Sequence, residues 1–206
     1  MIITKKLVPT IILTVALSGC VSKGWNVSHL HDEFTNDNIC RVERNSPEMR
    51  EFARNWTRTF FSSYFFAEKY NDQVRAGIRS EPQIPIAGDV QIKIGSKLVT
   101  LTSDDTPIDV APHIPQYKMS KEVEKTLGAG FNTSMKQMTD SIQKLGSPYR
   151  ALTGQKAINL LRDMANTQGE IKYRTVGFNS ALSTTGTITT GPEFVKALNE
   201  CGIDIN

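Results

Sequence analysis

The stretch DVQIKIGSKLVTLT at residues 89–102 alternates apolar and polar side chains around a Gly-Ser pair. Val90, Ile92 and Ile94 share one side of a strand, because successive strand residues point to opposite faces. The Gly-Ser pair supplies a turn, and leucine and valine residues return after it. The stretch therefore predicts a β-hairpin within an antiparallel sheet.

Further β patterns lie on both sides of this hairpin. A loop at 31–38 would join the first two strands, and prolines at 82 and 85 indicate an edge or a loop. We expect mostly antiparallel strands across 24–102 and 170–190. The individual segments are strands at 24–29, 39–42, 74–78 and 171–178, and a turn or short hairpin within 183–191.

Helical signals mark the remaining segments. Ser46-Pro47-Glu48 predicts a helix start and a helix to about Trp56, whereas 57–70 fit either helix or strand. A resemblance to a capping box at 190–193 predicts a last helix through Cys201. We interpret the methionines of the middle helices as core filler. The first of those helices carries an apolar stripe of Phe131, Met135, Met138, Ile142 and Leu145. Thr153 is predicted to cap the second helix, whose apolar residues from Ala157 to Ala165 should face inward.

These patterns predict an α+β fold. We expect a mostly antiparallel β-sheet or sandwich-like core, a helical section at 120–165 and a C-terminal helix. Residues 24–206 would form a single α+β domain, since a chain of this length can bury a sizeable core.

The amino terminus has the features of an export signal. Lys5 and Lys6 precede a short apolar run that ends in Leu17-Ser18-Gly19-Cys20, too short to cross a bilayer as a helix. The tetrad resembles the lipobox of bacterial lipoproteins, which implies removal of 1–19, acylation of Cys20 and a short tether at 20–23. Val21 in place of aspartate favours the outer membrane by the same resemblance. The alternative is an ordinary signal peptide cut nearby.

The overall charge gives no support for nucleic acid as a binding partner. The chain has a formal net charge of +3, and removal of 1–19 would take away two lysines and no acid. A near-neutral surface gives no electrostatic case for nucleic acid or anionic lipid as the main partner. Membrane attachment would come from acyl chains on Cys20.

Two cysteines remain after Cys20. Exported proteins occupy an oxidising compartment, where Cys40 and Cys201 are expected to form a disulfide. The bridge would join the start of the domain to its last turn. Two buried free thiols are the alternative.

Candidate catalytic or metal-binding groups are few. His29 and His31 would project from one face of a strand, and with His113 they could hold Zn²⁺ or Cu²⁺, although solvated histidines are the simpler interpretation. Asp104, Asp105 and Asp109 could act in acid–base chemistry or bind Ca²⁺, but the spacing lacks the features of a calcium loop and favours turns. No nucleophile motif is present, and we expect no cofactor.

A second, scattered resemblance covers about a dozen residues. The GWNV at 24–27, Cys40 and GFNSAL at 177–182 are similar to hallmarks of the invasion-associated locus B family of exported bacterial proteins. The resemblance implies a β-rich, sandwich-like core without catalytic residues. The helical section at 120–165 and the terminal helix depart from that family.

The expected function follows from export and the lack of a catalytic motif. We expect a lipid-anchored periplasmic binding or envelope-interaction protein with an envelope protein as partner, a class that includes exclusion and immunity lipoproteins. The alternative is an envelope hydrolase or metalloenzyme that uses His29, His31 or His113 with the aspartates of 104–109. Convergence of these groups in one pocket would favour the enzyme.

Overall fold

The computed structural model describes residues 24–44, 62–81, 83–111, 125, 129–167, 169–176 and 185–206. The predicted signal peptide with Cys20, the helix predicted at 46–56, His113 and the 177–182 motif lie outside these residues. The described part has an α+β fold with two antiparallel sheets, which confirms the predicted fold class. Its strands are β1 (Trp25–Asp32), β2 (Asp37–Arg44), β3 (Ser62–Tyr70), β4 (Gln73–Glu81), β5 (Val90–Ile94), β6 (Lys97–Leu101), β7 (Tyr149–Thr153), β8 (Glu170–Thr175) and β9 (Thr185–Thr189).

Three α-helices accompany these strands in the described part of the chain. They are α1 (Ala129–Leu145), α2 (Gly154–Ala165) and α3 (Pro192–Glu200), and a single 3-10 turn lies at Ile108–Val110. Of the apolar residues predicted to face inward on α2, four are buried and two, Ile158 and Ala165, pack partly buried against the core. The buried four are Ala157, Leu160, Leu161 and Met164.

The larger sheet has five strands in the order β1-β2-β3-β4-β7. The predicted β1–β2 hairpin is present, but both strands extend into the segment expected to be a loop, which shrinks to residues 33–36. The undecided segment at 57–70 is a strand from residue 62 onward. Phe65 and Ala67 of that strand point into the core, so tertiary burial selects the extended conformation.

The smaller sheet has four strands in the order β6-β5-β8-β9. Its centre is the hairpin predicted from residues 89–102, and β8 pairs antiparallel with β5. Burial alternates along β8 as the sequence pattern indicates, with Ile171, Tyr173 and Thr175 inward and the residues between them exposed. One face of this sheet therefore packs on the core and the other meets solvent.

One hydrophobic core joins the two sheets and the last two helices. Its fully buried members include Val42 and Ile78 of the five-stranded sheet, Ile92 and Ile188 of the four-stranded sheet, and Leu198 of α3. Burial on this scale is the main favourable contribution to folding.

The disulfide between Cys40 and Cys201 is present, with Cα atoms 5.3 Å apart. It ties β2 to the residue that follows α3. The ring of Phe194 on α3 packs against Trp25 of β1, and Ile203 and Ile205 are also buried. The carboxyl-terminal segment is therefore held by residues beyond α3 as well as by the helix itself.

Two local predictions were wrong. Residues 149–153 form β7, which periodicity does not reveal because three consecutive residues of this strand are buried. The proposed capping box is also absent: Gly191 occupies the N-cap position of α3, and the Thr190 hydroxyl instead donates to the carbonyl of Met164 at 2.9 Å. That bond fastens the start of α3 to the end of α2.

The helix α1 forms where it was predicted, but its apolar stripe faces solvent. The five stripe side chains are between 37 % and 59 % exposed. Interpreting Met135 and Met138 as core filler was therefore wrong. Periodicity shows that an apolar stripe exists, but it does not show what covers it.

Candidate functional site

The two predicted histidines of β1 lie in one shallow pocket of about 240 Å³. His31 Nδ1 is 2.9 Å from Oδ1 of Asn38, and His29 Nε2 is 3.8 Å from Sγ of Cys40. Lys69 also lines the pocket, and none of its described lining residues is a carboxylate. The ammonium group of a lysine makes this pocket a poor place for a metal cation.

The three predicted aspartates make separate structural contacts. Asp105 accepts hydrogen bonds from the Thr102 hydroxyl at 2.8 Å and from Lys156 Nζ at 2.8 Å. Burial raises the pKa of Asp105, but these bonds outweigh it and hold that pKa below its usual value. Asp109 pairs with Arg75 of β4 at 2.5 Å, and the Asp104 carbonyl accepts from Lys144 of α1.

The histidines and aspartates do not converge in the described structure. His29 and His31 lie on β1, an edge strand of the five-stranded sheet, whereas Asp109 contacts β4, three positions further across it. Within the described ranges, no group of three or more His, Cys, Asp or Glu residues could hold a metal ion. His113 falls outside those ranges.

A network of charged side chains crosses the five-stranded sheet. Glu68 is 1 % exposed and accepts from Arg41 at 2.7 Å, and Arg75 lies 3.5 Å away on its other side. Arg75 also stacks over the Tyr70 ring, 4.1 Å from its centroid. The charges in this network neutralise one another, so it fits a structural role better than a binding role.

A groove of about 630 Å³ lies on the solvent face of the four-stranded sheet. Its cations come from two neighbouring strands: Lys93 from β5, and Lys172 and Arg174 from β8. All three point outward because their strand neighbours, such as Ile92 and Tyr173, point into the core. We call this surface the cationic groove.

The charges of the cationic groove are poorly compensated. Lys93 lies directly opposite Lys172 in the antiparallel register, an arrangement that costs stability because like charges repel. Glu170 is the one acid in the described lining, and its carboxylate is 3.9 Å from Lys172 Nζ. Arg174 donates from Nε to Gln91 Oε1 at 2.8 Å, which fixes its position. An anion between the two lysines would relieve their repulsion.

Threonine hydroxyls form the β9 side of the groove. Thr185 and Thr187 are exposed, and Gly186 lies between them. A Cβ atom at Gly186 would lie 2.3 Å from the Tyr173 ring, so this position requires glycine. Tyr173 in turn donates its hydroxyl to the Ser63 carbonyl at 2.5 Å. The side wall of the groove is thus fixed through Tyr173 to the other sheet.

The cationic groove was not predicted from the sequence. Lys172 and Arg174 alternate with apolar residues in a predicted strand. This alternation places both side chains on the exposed face of the strand. Their proximity to Lys93 depends on the pairing of β5 with β8, which no local pattern reveals.

Comparisons of the chain with protein-family models, with curated proteins and with solved structures found no match in any of the three. In the described part of the chain, no helix has the length and apolar character needed to span a bilayer.

Proposed function

We propose that this protein is a lipid-anchored envelope protein that binds an anionic ligand in the cationic groove and does not transform it. The anchor would be the acylated Cys20, and its lipobox context favours the outer membrane with the domain facing the periplasm. The observation that carries the binding role is the directly opposed pair of Lys93 and Lys172, for which Glu170 is the one acid in the described lining of the groove.

The chemistry of the groove suits phosphate or carboxylate groups. Ammonium and guanidinium groups make charge-assisted hydrogen bonds to such oxygens, and the threonine hydroxyls offer further donors. Base stacking has little support, because the aromatic residue in the described lining, Tyr173, is only 7 % exposed. We therefore assign the groove to a phosphorylated or acidic envelope glycan.

The lining of the groove also supports binding over catalysis. It has no histidine, cysteine or aspartate among its described residues, and Glu170 lies beside Lys172. General acid–base catalysis needs a positioned group that can exchange a proton with the reacting atom. The hydrolase or metalloenzyme alternative would need histidines close to the aspartates of 104–109, and His29 and His31 lie on a different part of the five-stranded sheet.

Titration calorimetry with a phosphorylated disaccharide and its unphosphorylated parent tests this proposal. We expect heat of binding with the phosphorylated sugar alone, and weaker binding as salt increases. Lys93→Gln and Lys172→Gln should each raise the Kd at least tenfold, whereas Lys196→Gln, an exposed lysine on α3, should leave it unchanged. Equal binding of both sugars would overturn the anionic assignment, and conversion of the bound sugar would overturn the non-catalytic role.

A further inference from the structure

The cations of the cationic groove fall into two separate positions on the face of the four-stranded sheet. Lys93 of β5 lies directly opposite Lys172 of β8. Two residues further along β8, Arg174 lies between Gln91 of β5 and Thr185 of β9. Strand residues two positions apart are about 7 Å apart on the same face. We call the first position the lysine subsite and the second the arginine subsite.

The two subsites offer different hydrogen-bond donors. In the described part of the chain Lys93 makes no ion pair or hydrogen bond, and the Glu170 carboxylate, 3.9 Å from Lys172 Nζ, is too distant for a hydrogen bond. Two ammonium groups on opposite strands can share one phosphate, because its oxygens point in several directions. Arg174 uses Nε for Gln91, and its Nη1 and Nη2 atoms have no partner among the described residues. That pair of nitrogens matches two oxygens of a carboxylate or a phosphate.

The charges along β8 give the groove a direction. Glu170, Lys172 and Arg174 follow one another at two-residue steps on the exposed face of this strand. The Glu170 carboxylate repels an anion at its end of the groove, whereas Arg174 attracts one at the other end. A ligand held by the lysine subsite therefore meets a second cation only if it extends toward Arg174.

The remainder of the chain has no surplus of acid with which to neutralise these cations. Residues 45–61 contain two glutamates and three arginines, and residues 112–124 contain two glutamates and two lysines. Residues 1–23 and 177–184 contain no acid. Because the cations of these segments would be repelled by the groove, an anion from outside the chain is the better counter-charge.

We infer that the ligand of the cationic groove carries two anionic groups. The first is a phosphate in the lysine subsite, and the second is a carboxylate or phosphate held by both terminal nitrogens of Arg174. This inference rests on the proposed binding role of the groove. A sugar unit with an anionic group on each side of its ring covers the separation of the subsites, and the hydroxyls of Thr185 and Thr187 lie beside it. Arg174 is then the residue that selects a doubly charged glycan over a singly charged one.

Titration calorimetry of the full-length protein with three related sugars tests this inference. The first sugar is glucose phosphorylated on its anomeric carbon, which has one anionic group. The second carries a further phosphate on its terminal carbon, and the third is glucuronic acid with the same anomeric phosphate. We expect at least one of the two doubly anionic sugars to bind about tenfold more tightly than the first, since a bidentate charge-assisted contact is added. The sugar that gains more identifies the second group as phosphate or carboxylate.

Two variants that each remove one positive charge separate the subsites. Arg174→Gln should abolish the advantage of the doubly anionic sugars and leave the Kd of the singly anionic sugar nearly unchanged. Lys93→Gln should weaken binding of all three sugars by a similar factor and preserve that advantage. Both side chains are exposed, so both variants should keep the native melting temperature. Arg174→Lys retains the charge but lacks the paired nitrogens, and should recover only part of the advantage.

The outcomes distinguish this inference from the proposed function on which it rests. Doubly anionic sugars that bind no more tightly than the singly anionic one would overturn the inference and leave the proposed function in place. An equal loss of the advantage in Arg174→Gln and Lys93→Gln would also overturn it, because total charge would then explain the gain. Full recovery in Arg174→Lys would contradict the contact with both terminal nitrogens. Failure of all three sugars to bind would contradict the proposed function, and the inference with it.

Discussion

The rings of Trp25 and Phe194 lie 4.5 Å apart, centroid to centroid, so the first described strand packs directly on the last helix. Phe65 joins the pair from the neighbouring part of the sheet, 6.0 Å from Trp25 and 6.3 Å from Phe194. The Cys40–Cys201 bridge lies at the end of the same helix. The two ends of the described chain are thus joined by both packing and a covalent bond.

Loss of the bridge should weaken the protein without unfolding it. The bridge closes a loop with a sequence separation of 161, which restricts the unfolded chain. We expect Cys201→Ser to lower the free energy of unfolding by about 2–5 kcal/mol in urea titrations. The aromatic contacts and the buried Ile203 and Ile205 should keep α3 docked in the folded variant.

Two controls make this prediction specific. Cys40→Ser should cost a similar amount, and the double variant should cost no more than either single one, because all three lack the same bond. Thiol labelling of the native chain under denaturing, non-reducing conditions should modify neither cysteine. Full labelling of both would contradict the bridge.

Substitution of Cys20 should release the protein from membranes. If the lipobox resemblance is correct, Cys20 carries the acyl chains, and several chains together make a stable anchor. Cys20→Ser should abolish palmitate labelling and move the protein to the soluble periplasmic fraction. Equal labelling of the variant and the native protein would contradict the lipoprotein hypothesis.

Alternation predicted the strands best where one strand face is buried and the other meets solvent. The 89–102 hairpin and the 171–175 segment satisfy that condition, because side chains in strands alternate between the two faces. The strand β7 does not satisfy it. Its Arg150 is polar in sequence yet fully buried, because its donors bond to backbone carbonyls.

The α1 stripe and the cationic groove could be predicted from the sequence to different extents. The α1 stripe is visible in the sequence, but its exposure depends on which face Arg150 and the body of the protein hold inward. The cationic groove combines β5 with β8, strands about 80 residues apart in the chain, so its charge cluster appears only after folding. A small net charge conceals such a local cluster.

The histidine pocket should not bind a structural metal. The carboxylates of Asp105 and Asp109 are engaged with Lys156 and Arg75, and Lys69 lies beside the histidines. We expect the His29→Ala, His31→Ala double variant to melt at the same temperature as the native protein, with or without EDTA. A chelator-sensitive melting temperature that disappears in the double variant would show that these histidines hold a metal.

Acid should weaken the link between the first two hairpins. Asp37 accepts hydrogen bonds from the side chains of Thr35, Tyr70 and Asn71, which lower its pKa from 3.8 to about 2. The bonds from Tyr70 and Asn71 are 2.6 and 2.8 Å long and join β2 to the β3–β4 turn. Because the pKa is lower in the folded state, the stabilisation is complete above pH 3.8 and is lost as the pH falls toward 2.

Urea unfolding between pH 2 and pH 6 measures this effect. The difference in unfolding free energy between the native protein and Asp37→Asn should be constant near pH 6 and shrink below about pH 4. Glu200→Gln, at an exposed carboxylate beyond these bonds, is the control and should give no such change. A constant difference down to pH 2 would contradict the role assigned to Asp37.

Arg150 should be among the most sensitive positions in the protein, because one guanidinium satisfies carbonyls from three segments. It donates to Gly88 and Ile86 before β5, to Lys144 and Leu145 at the end of α1, and to Tyr149 of its own strand. Arg150→Met would leave the buried Ile86 carbonyl and several part-buried carbonyls without this donor. A buried acceptor without a partner costs about 1–3 kcal/mol, so we expect a total loss of about 3 kcal/mol. Arg174→Met, at an exposed arginine, should cost far less. Hydrogen exchange should show faster exchange near the end of α1 in Arg150→Met, because its last carbonyls lose their partner. Unchanged exchange there, with native stability, would mean that α1 is held by contacts other than Arg150.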